Sequence, residues 1–154
     1  MGAKVKNPRK KFLWSIMFPK HPINTYLFQT CTLPDVEIDQ VAHGDVNRDV
    51  KTAGRVTIGN LIVEKLMTTA GSDTWLHDWL YSCQDHIVGG GLVPSQYWET
   101  AIVNELAEDG VSVLNTHVFE EVWPCKITGL DLDRMASENT IESIEFSVGT
   151  ADKY

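Results

Sequence analysis

Residues 111–154 alternate apolar and polar side chains, most clearly in Ile144-Glu145-Phe146-Ser147-Val148. Successive side chains of a strand point to opposite faces, so a period of two places one face on a core and the other in water. The same stretch carries Trp123-Pro124, where the proline removes a ladder donor and predicts a sharp break. A change of phase across Gly129, between Ile127 and the pair Leu130 and Leu132, predicts a bulge. No catalytic constellation accompanies these strands, which directs the reading toward shaped surfaces rather than a pocket.

The rest of the chain follows the same pattern. Phe12, Trp14, Ile16 and Phe18 predict one face of a strand and Leu13, Ser15 and Met17 the other, with Pro19 and Pro22 ending it. Further strands are expected over 25–31, 36–41, 61–67, 101–106 and from 111 onward. The stretch HGDVNRDVKTAGR, polar and with two glycines, predicts a long loop at about 43–58, and long loops are usually functional or mobile. One segment, at about 72–86, reads as a helix. Gly71-Ser72-Asp73 offers its cap, and Trp75, Leu76, Trp79, Leu80 and Cys83 fall on one stripe, with His77 and Asp78 facing outward. Gly89, Gly90 and Gly91 end it, and Glu108-Asp109-Gly110 predicts a turn.

About seven strands and one helix imply a mainly β chain, an antiparallel β-sandwich or partly closed β-barrel with one flanking α-helix. With 154 residues, 43% of them hydrophobic, the chain suits one domain over 12–154 behind an arm over 1–11. It has no internal repeat and no low-complexity segment.

Charge is distributed unevenly. Residues 1–34 hold Lys4, Lys6, Arg9, Lys10, Lys11 and Lys20 and no acid, giving +6; residues 35–154 hold all 21 acids against 7 bases, giving −14 and the net −8. A basic arm therefore precedes an acidic body. Between Lys65 and Lys126 there is no Lys or Arg. Such a body repels phosphate backbones, because tight nucleic-acid binding needs cationic side chains that displace counterions.

Enzymatic function is not expected. His21, His43, His77, His86 and His117 sit in unrelated elements, no G-x-S-x-G context is present, and the 89–91 glycines lack the Gly-Lys-Ser/Thr of a phosphate loop. No catalytic, cofactor-binding or metal residues are assigned. Cys83 with His86 lacks two further zinc ligands, and Glu120-Glu121 and Asp131/Asp133 read as solvated acids. Cys31, Cys83 and Cys125 are odd in number and widely spaced, so they predict buried free thiols, with an inter-subunit disulfide as the sharper alternative. No apolar run approaches the roughly 20 residues of a membrane span, and FLWSIMF after the basic stretch is too short for a secretory core, so folding in a cytoplasm is expected.

One set of residues carries a resemblance. Phe28-Gln29, Cys31-Thr32-Leu33-Pro34, Asn47-Arg48 with Thr52-Ala53-Gly54, the helix with Trp79, and Trp123-Pro124-x-x-x-x-Gly129-Leu130-x-Leu132 followed by Asn139-x-Ile141-x-Ser143-Ile144-Glu145-Phe146 resemble, in order and spacing, the tail tube protein of contractile-tailed bacteriophages. The likeness runs from about residue 12 to the C-terminus and extends to the inner tubes of type VI secretion systems and contractile bacteriocins. It implies a β-barrel-like sandwich with a flanking helix, six copies per ring, and rings stacked into a hollow tube inside a contractile sheath. The implied partners are further copies of the chain, the tail sheath, baseplate and tail terminator proteins, and double-stranded DNA passing without sequence-specific binding. The implied location is a virion tail assembled in the host cytoplasm. The alternatives are an effector-conducting tube of a secretion system or bacteriocin-like particle, and a small β-barrel binding protein.

Overall fold

The computed structural model describes residues 8–20, 28–67 and 74–154. Nine strands occur there: β1 (Trp14–Met17), β2 (Phe28–Thr32), β3 (Val36–Gly44), β4 (Asp49–Ile58), β5 (Leu61–Leu66), β6 (Glu99–Leu106), β7 (Val113–Ile127), β8 (Ile141–Ser147) and β9 (Thr150–Lys153). Two helices, α1 (Trp75–Cys83) and α2 (Pro94–Tyr97), lie between β5 and β6. The fold is mainly β, and every strand pair is antiparallel.

Seven strands form one curved sheet in the order β1-β6-β7-β8-β5-β2, with β9 on β7, while β3 and β4 pair only with each other. Two half-sheets share β7. Its first part pairs with β6 and β9, and Trp123 onward pairs with β8. The corner between them is Glu121, a non-glycine residue with φ 56°. Opposite it Gly149 sits so close that a Cβ there would lie 2.6 Å from Glu121 Cβ. A strand that changes sheets needs such a kink, and glycine permits the partner backbone to approach.

The core forms where the two half-sheets and α1 face each other. Period-two alternation places Leu61 and Val63 of β5 and Ile144 and Phe146 of β8 inward, all fully buried. Phe18, also fully buried, packs its ring 5.3–6.0 Å from those of Phe28, Trp75, Trp79 and Phe146. Removing such a side chain from water stabilises the fold by about 1.5–3 kcal/mol. Leu76 and Trp79 bury the helical stripe, and the Trp79 indole N–H donates to the Tyr97 carbonyl at 2.8 Å, tying α1 to α2.

Several expectations are corrected. The predicted loop at 43–58 is instead the end of β3, a short turn and all of β4, because β-branched Val50, Thr52, Val56, Thr57 and Ile58 favour extended backbone more than the glycines oppose it. Trp123-Pro124 does not break β7; the bend falls at Glu121, and a register shift follows between Pro124 and Lys126. Residues 128–140 around Gly129 are irregular rather than a bulged strand. A second helix, α2, is present beyond the one expected, and Pro94 pre-sets the backbone for its first turn. Phe12 is 76% exposed and lies outside β1, although Ile16 and Phe18 are buried as expected. The expected cap at 71–73 and the start of the 25–31 strand lie outside the described residues.

Candidate assembly surfaces

The β3–β4 hairpin stands away from the body. Every residue of β3 is exposed, as is every residue of β4 except its last, Ile58. At about 3.3 Å per residue its strands reach roughly 30 Å. Cross-strand partners share a face, so Val36 with Ile58 and Ile38 with Val56 put an apolar patch on one side near its root. Glu37 and Asp39 lie on the other side, followed toward the tip by Val41 opposite Thr52 and His43 opposite Val50. A bulge near Gly54 separates the two stretches, with Gly54 close against the Asp39 backbone.

The curved sheet ends in β1 and β2. Among the described residues β1 pairs only with β6 and β2 only with β5, so each keeps one free edge. Unpaired edges recruit other strands, and β-proteins cover or close them. A groove of about 610 Å³ separates the two edges, with Phe12 and Trp14 on one side and Phe28 and Cys31 on the other.

The outward face of the β2-β5-β8 half-sheet mixes polar and acidic side chains with the apolar Ile62 and the cross-strand pair Leu66 and Ile141. Register puts Thr30 beside Glu64, Glu64 beside Ser143, and Glu145 between Ile62 and Lys126. The acids Glu64 and Glu145 there outnumber the single base Lys126.

The basic arm is partly docked on its own chain. Arg9 donates to the Glu105 carboxylate at 2.9 Å, and Asn115 Nδ2 donates to the same oxygen at 2.8 Å. Burial pushes the Glu105 carboxyl up, but the Asn115 hydrogen bond and the charges of Arg9, His117 and Lys153 outweigh it and hold it below the usual carboxylate range. Lys10 and Lys11 are exposed, and neither forms an ion pair with a described residue.

The chemistry-bearing side chains remain dispersed. His77 does not simply face outward: its Nε2 lies 2.6 Å from Oε1 of Glu142, a buried carboxylate on β8, and Lys65 stands opposite Glu142 on β5. The alternation that buries Val63 and Ile144 also places Lys65 and Glu142 inward, so this signal was present in the sequence. Asp78 is exposed as expected. His117 stacks on Phe119, His86 lies 5.1 Å from the Tyr81 ring, and His43 is on the hairpin. His21 lies outside the described residues. No group of three or more His, Cys, Asp or Glu suited to a metal ion occurs among the described residues.

The cysteines are free thiols on three elements, but not all are buried as expected: Cys31 and Cys83 are half-buried and Cys125 is exposed. Burial pushes Cys31 up to about 12 and also raises Cys83 and Cys125, where Glu99 and Glu145 respectively add to the effect. Protonated thiols of this kind exchange slowly. No helix among the described residues is long and apolar enough to cross a membrane.

Comparison with known structures finds the same fold in several solved chains. The fold superposes on the tube-terminating cap of the anti-feeding prophage with a TM-score of 0.81 at 14% identity, covering 100% of this chain and 95% of that one. It superposes on a chain of the PVC sheath–tube complex, from an extracellular contractile injection system in the extended state, with a TM-score of 0.78 at 17% identity, covering 97% and 93%. A type six secretion system protein matches with a TM-score of 0.58 at 12% identity, covering 91% and 81%. A comparison with curated proteins finds no match. The family profile described as T4-like virus tail tube protein gp19 matches residues 10–150, nearly the whole chain. Matched over that length, the chain belongs to the tail tube protein family, whose members are structural tube proteins rather than enzymes.

Proposed function

We propose that residues 12–154 form one tube domain, that six copies close into a ring through their free sheet edges, and that rings stack through the exposed hairpin. The observation that carries this reading is the hairpin itself. A two-stranded element exposing Val36, Ile38 and Val56 is marginal in water alone and is expected to be covered in its working state. Edge-to-edge closure leaves no strand edge free to aggregate.

The outer face of β2-β5-β8, acidic in net charge, then lines the bore. Its Glu64 and Glu145 repel a phosphodiester chain, which removes the binding well that would trap it, so double-stranded DNA passes during ejection without sequence-specific contacts. Sheath, baseplate and tail terminator proteins are its partners in a virion tail assembled in the host cytoplasm. The basic arm over 1–11 adds a salt-sensitive component to assembly.

A second reading, an inner tube that conducts protein effectors, draws on the likeness to the tube-terminating cap of the anti-feeding prophage and to the PVC sheath–tube complex. Negative-stain microscopy and sedimentation of the purified protein test the common claim. Rings or hollow filaments are expected; a compact monomer at all concentrations and salts overturns it. Nuclease-protected DNA in intact particles supports genome passage, and particles filled with protein favour the second reading.

A further inference from the structure

We infer that the acidic side of the β3–β4 hairpin docks against the groove between β1 and β2 of a second copy, with Lys10 and Lys11 as its electrostatic clamp. The inference rests on the tube reading and names the surfaces that meet.

The two surfaces are complementary in charge and in shape. On one side of the hairpin, Glu37 and Asp39 project together with no ion-pair partner among the described residues. Asp35 precedes them at the root, and Arg55 at the bulge is the one cation on that stretch, so the side is net acidic. Farther out the same side becomes apolar, with Val41 and Val50 each more than 40% exposed. The groove repeats this order. Lys11 lines it, with Lys10 next to it in the chain and neither in an ion pair with a described residue, and Phe12, 76% exposed, and Trp14 follow within it.

Arg9 is held by Glu105 and does not compete for the hairpin, so the lysines beside it are fixed near the groove while their charges stay available. Opposite charges that meet across an interface steer association and fix register. The apolar part supplies the area removed from water. Every residue of β3, and of β4 except Ile58, is exposed, so the hairpin does not occupy its own chain's groove and the groove it meets belongs to another copy.

Charge reversal in the full chain tests this. Lys10→Glu with Lys11→Glu, and separately Glu37→Lys with Asp39→Lys, are each expected to lower the assembled fraction at low salt at least about tenfold, since each turns two attractions into repulsions. Combining all four substitutions restores assembly. A benzophenone amino acid at Phe12, irradiated in assembled particles, is expected to cross-link to a hairpin peptide of another copy. The contact is refuted if the reversed variants fold and assemble like the parent, if the combination fails to rescue, or if the cross-link falls on the chain's own residues 1–7 or elsewhere. A parent chain that forms no rings or filaments refutes the tube reading itself; a parent that assembles while the swaps have no effect refutes only this docking.

Discussion

The corner of β7 gives a prediction with a worked sign. Gly149 does not have a left-handed φ, so alanine suits its backbone, yet the new Cβ would lie 2.2 Å from Glu121 Oε2 and 2.6 Å from Glu121 Cβ. The carboxylate can swing away. The Cβ cannot, because it is fixed to a backbone already at φ 56°. Gly149→Ala should therefore destabilise the subunit by about 1–3 kcal/mol, the range of an overpacked site.

Glu121→Gly removes both obstacles. It also relieves a left-handed non-glycine residue, worth roughly 1–2 kcal/mol, against a glycine entropy loss of about 0.5–1 kcal/mol. In that background Gly149→Ala should become neutral or stabilising by up to about 1 kcal/mol, as expected where alanine fits. The double-mutant cycle, measured by urea unfolding of the dissociated subunit, should show a coupling of about 1–4 kcal/mol. Additive effects would refute the account of the corner, as would Gly149→Ala unfolding at the same urea concentration as the parent.

Two further outcomes follow from the titrating groups. Glu105 is held below its unfolded value, so its contribution is present above the ordinary carboxylate range and is lost as pH falls through the lowered folded value; the stability gap between parent and Glu105→Gln should close on acidification, and a gap that widens would contradict this. Cys31, raised to about 12, should resist alkylation at neutral pH until the chain unfolds, and rapid native-state labelling would show that its burial is wrong.

Much of the fold was legible because alternation depends on burial. Phe146 and Ile144, Leu61 and Val63, and the Trp79 stripe were placed correctly from spacing alone. What spacing does not encode is the partner. Within the hairpin, 36–41 reads as a strand because it alternates, whereas 43–58 reads as a loop because its glycines and aspartates mimic a turn and β4 has no buried face to imprint a period. The β7 corner escapes local reading for a related reason: Trp123-Pro124 is a local signal, whereas the bend at Glu121 depends on Gly149, far along the chain. The pairing of His77 with Glu142 is not legible from helical spacing, because it depends on the strand opposite.

The hairpin's exposure also fixes where order must come from. Isolated two-stranded hairpins are marginal in water, and neither face of β3 is covered by its own subunit. Local opening there should cost far less than opening β5 or β8, whose inward residues are fully buried. In dissociated subunits the amides of β3 and β4 should therefore exchange with solvent at least about tenfold faster than those of β5 and β8, a difference of roughly 1.4 kcal/mol or more in opening free energy. On assembly the gap should shrink, because a neighbour that covers the hairpin adds its binding free energy to the closed state. Hairpin amides already as slow as the core in the lone subunit, or unchanged on assembly, would mean that the element orders itself and that its exposure has no bearing on polymerisation.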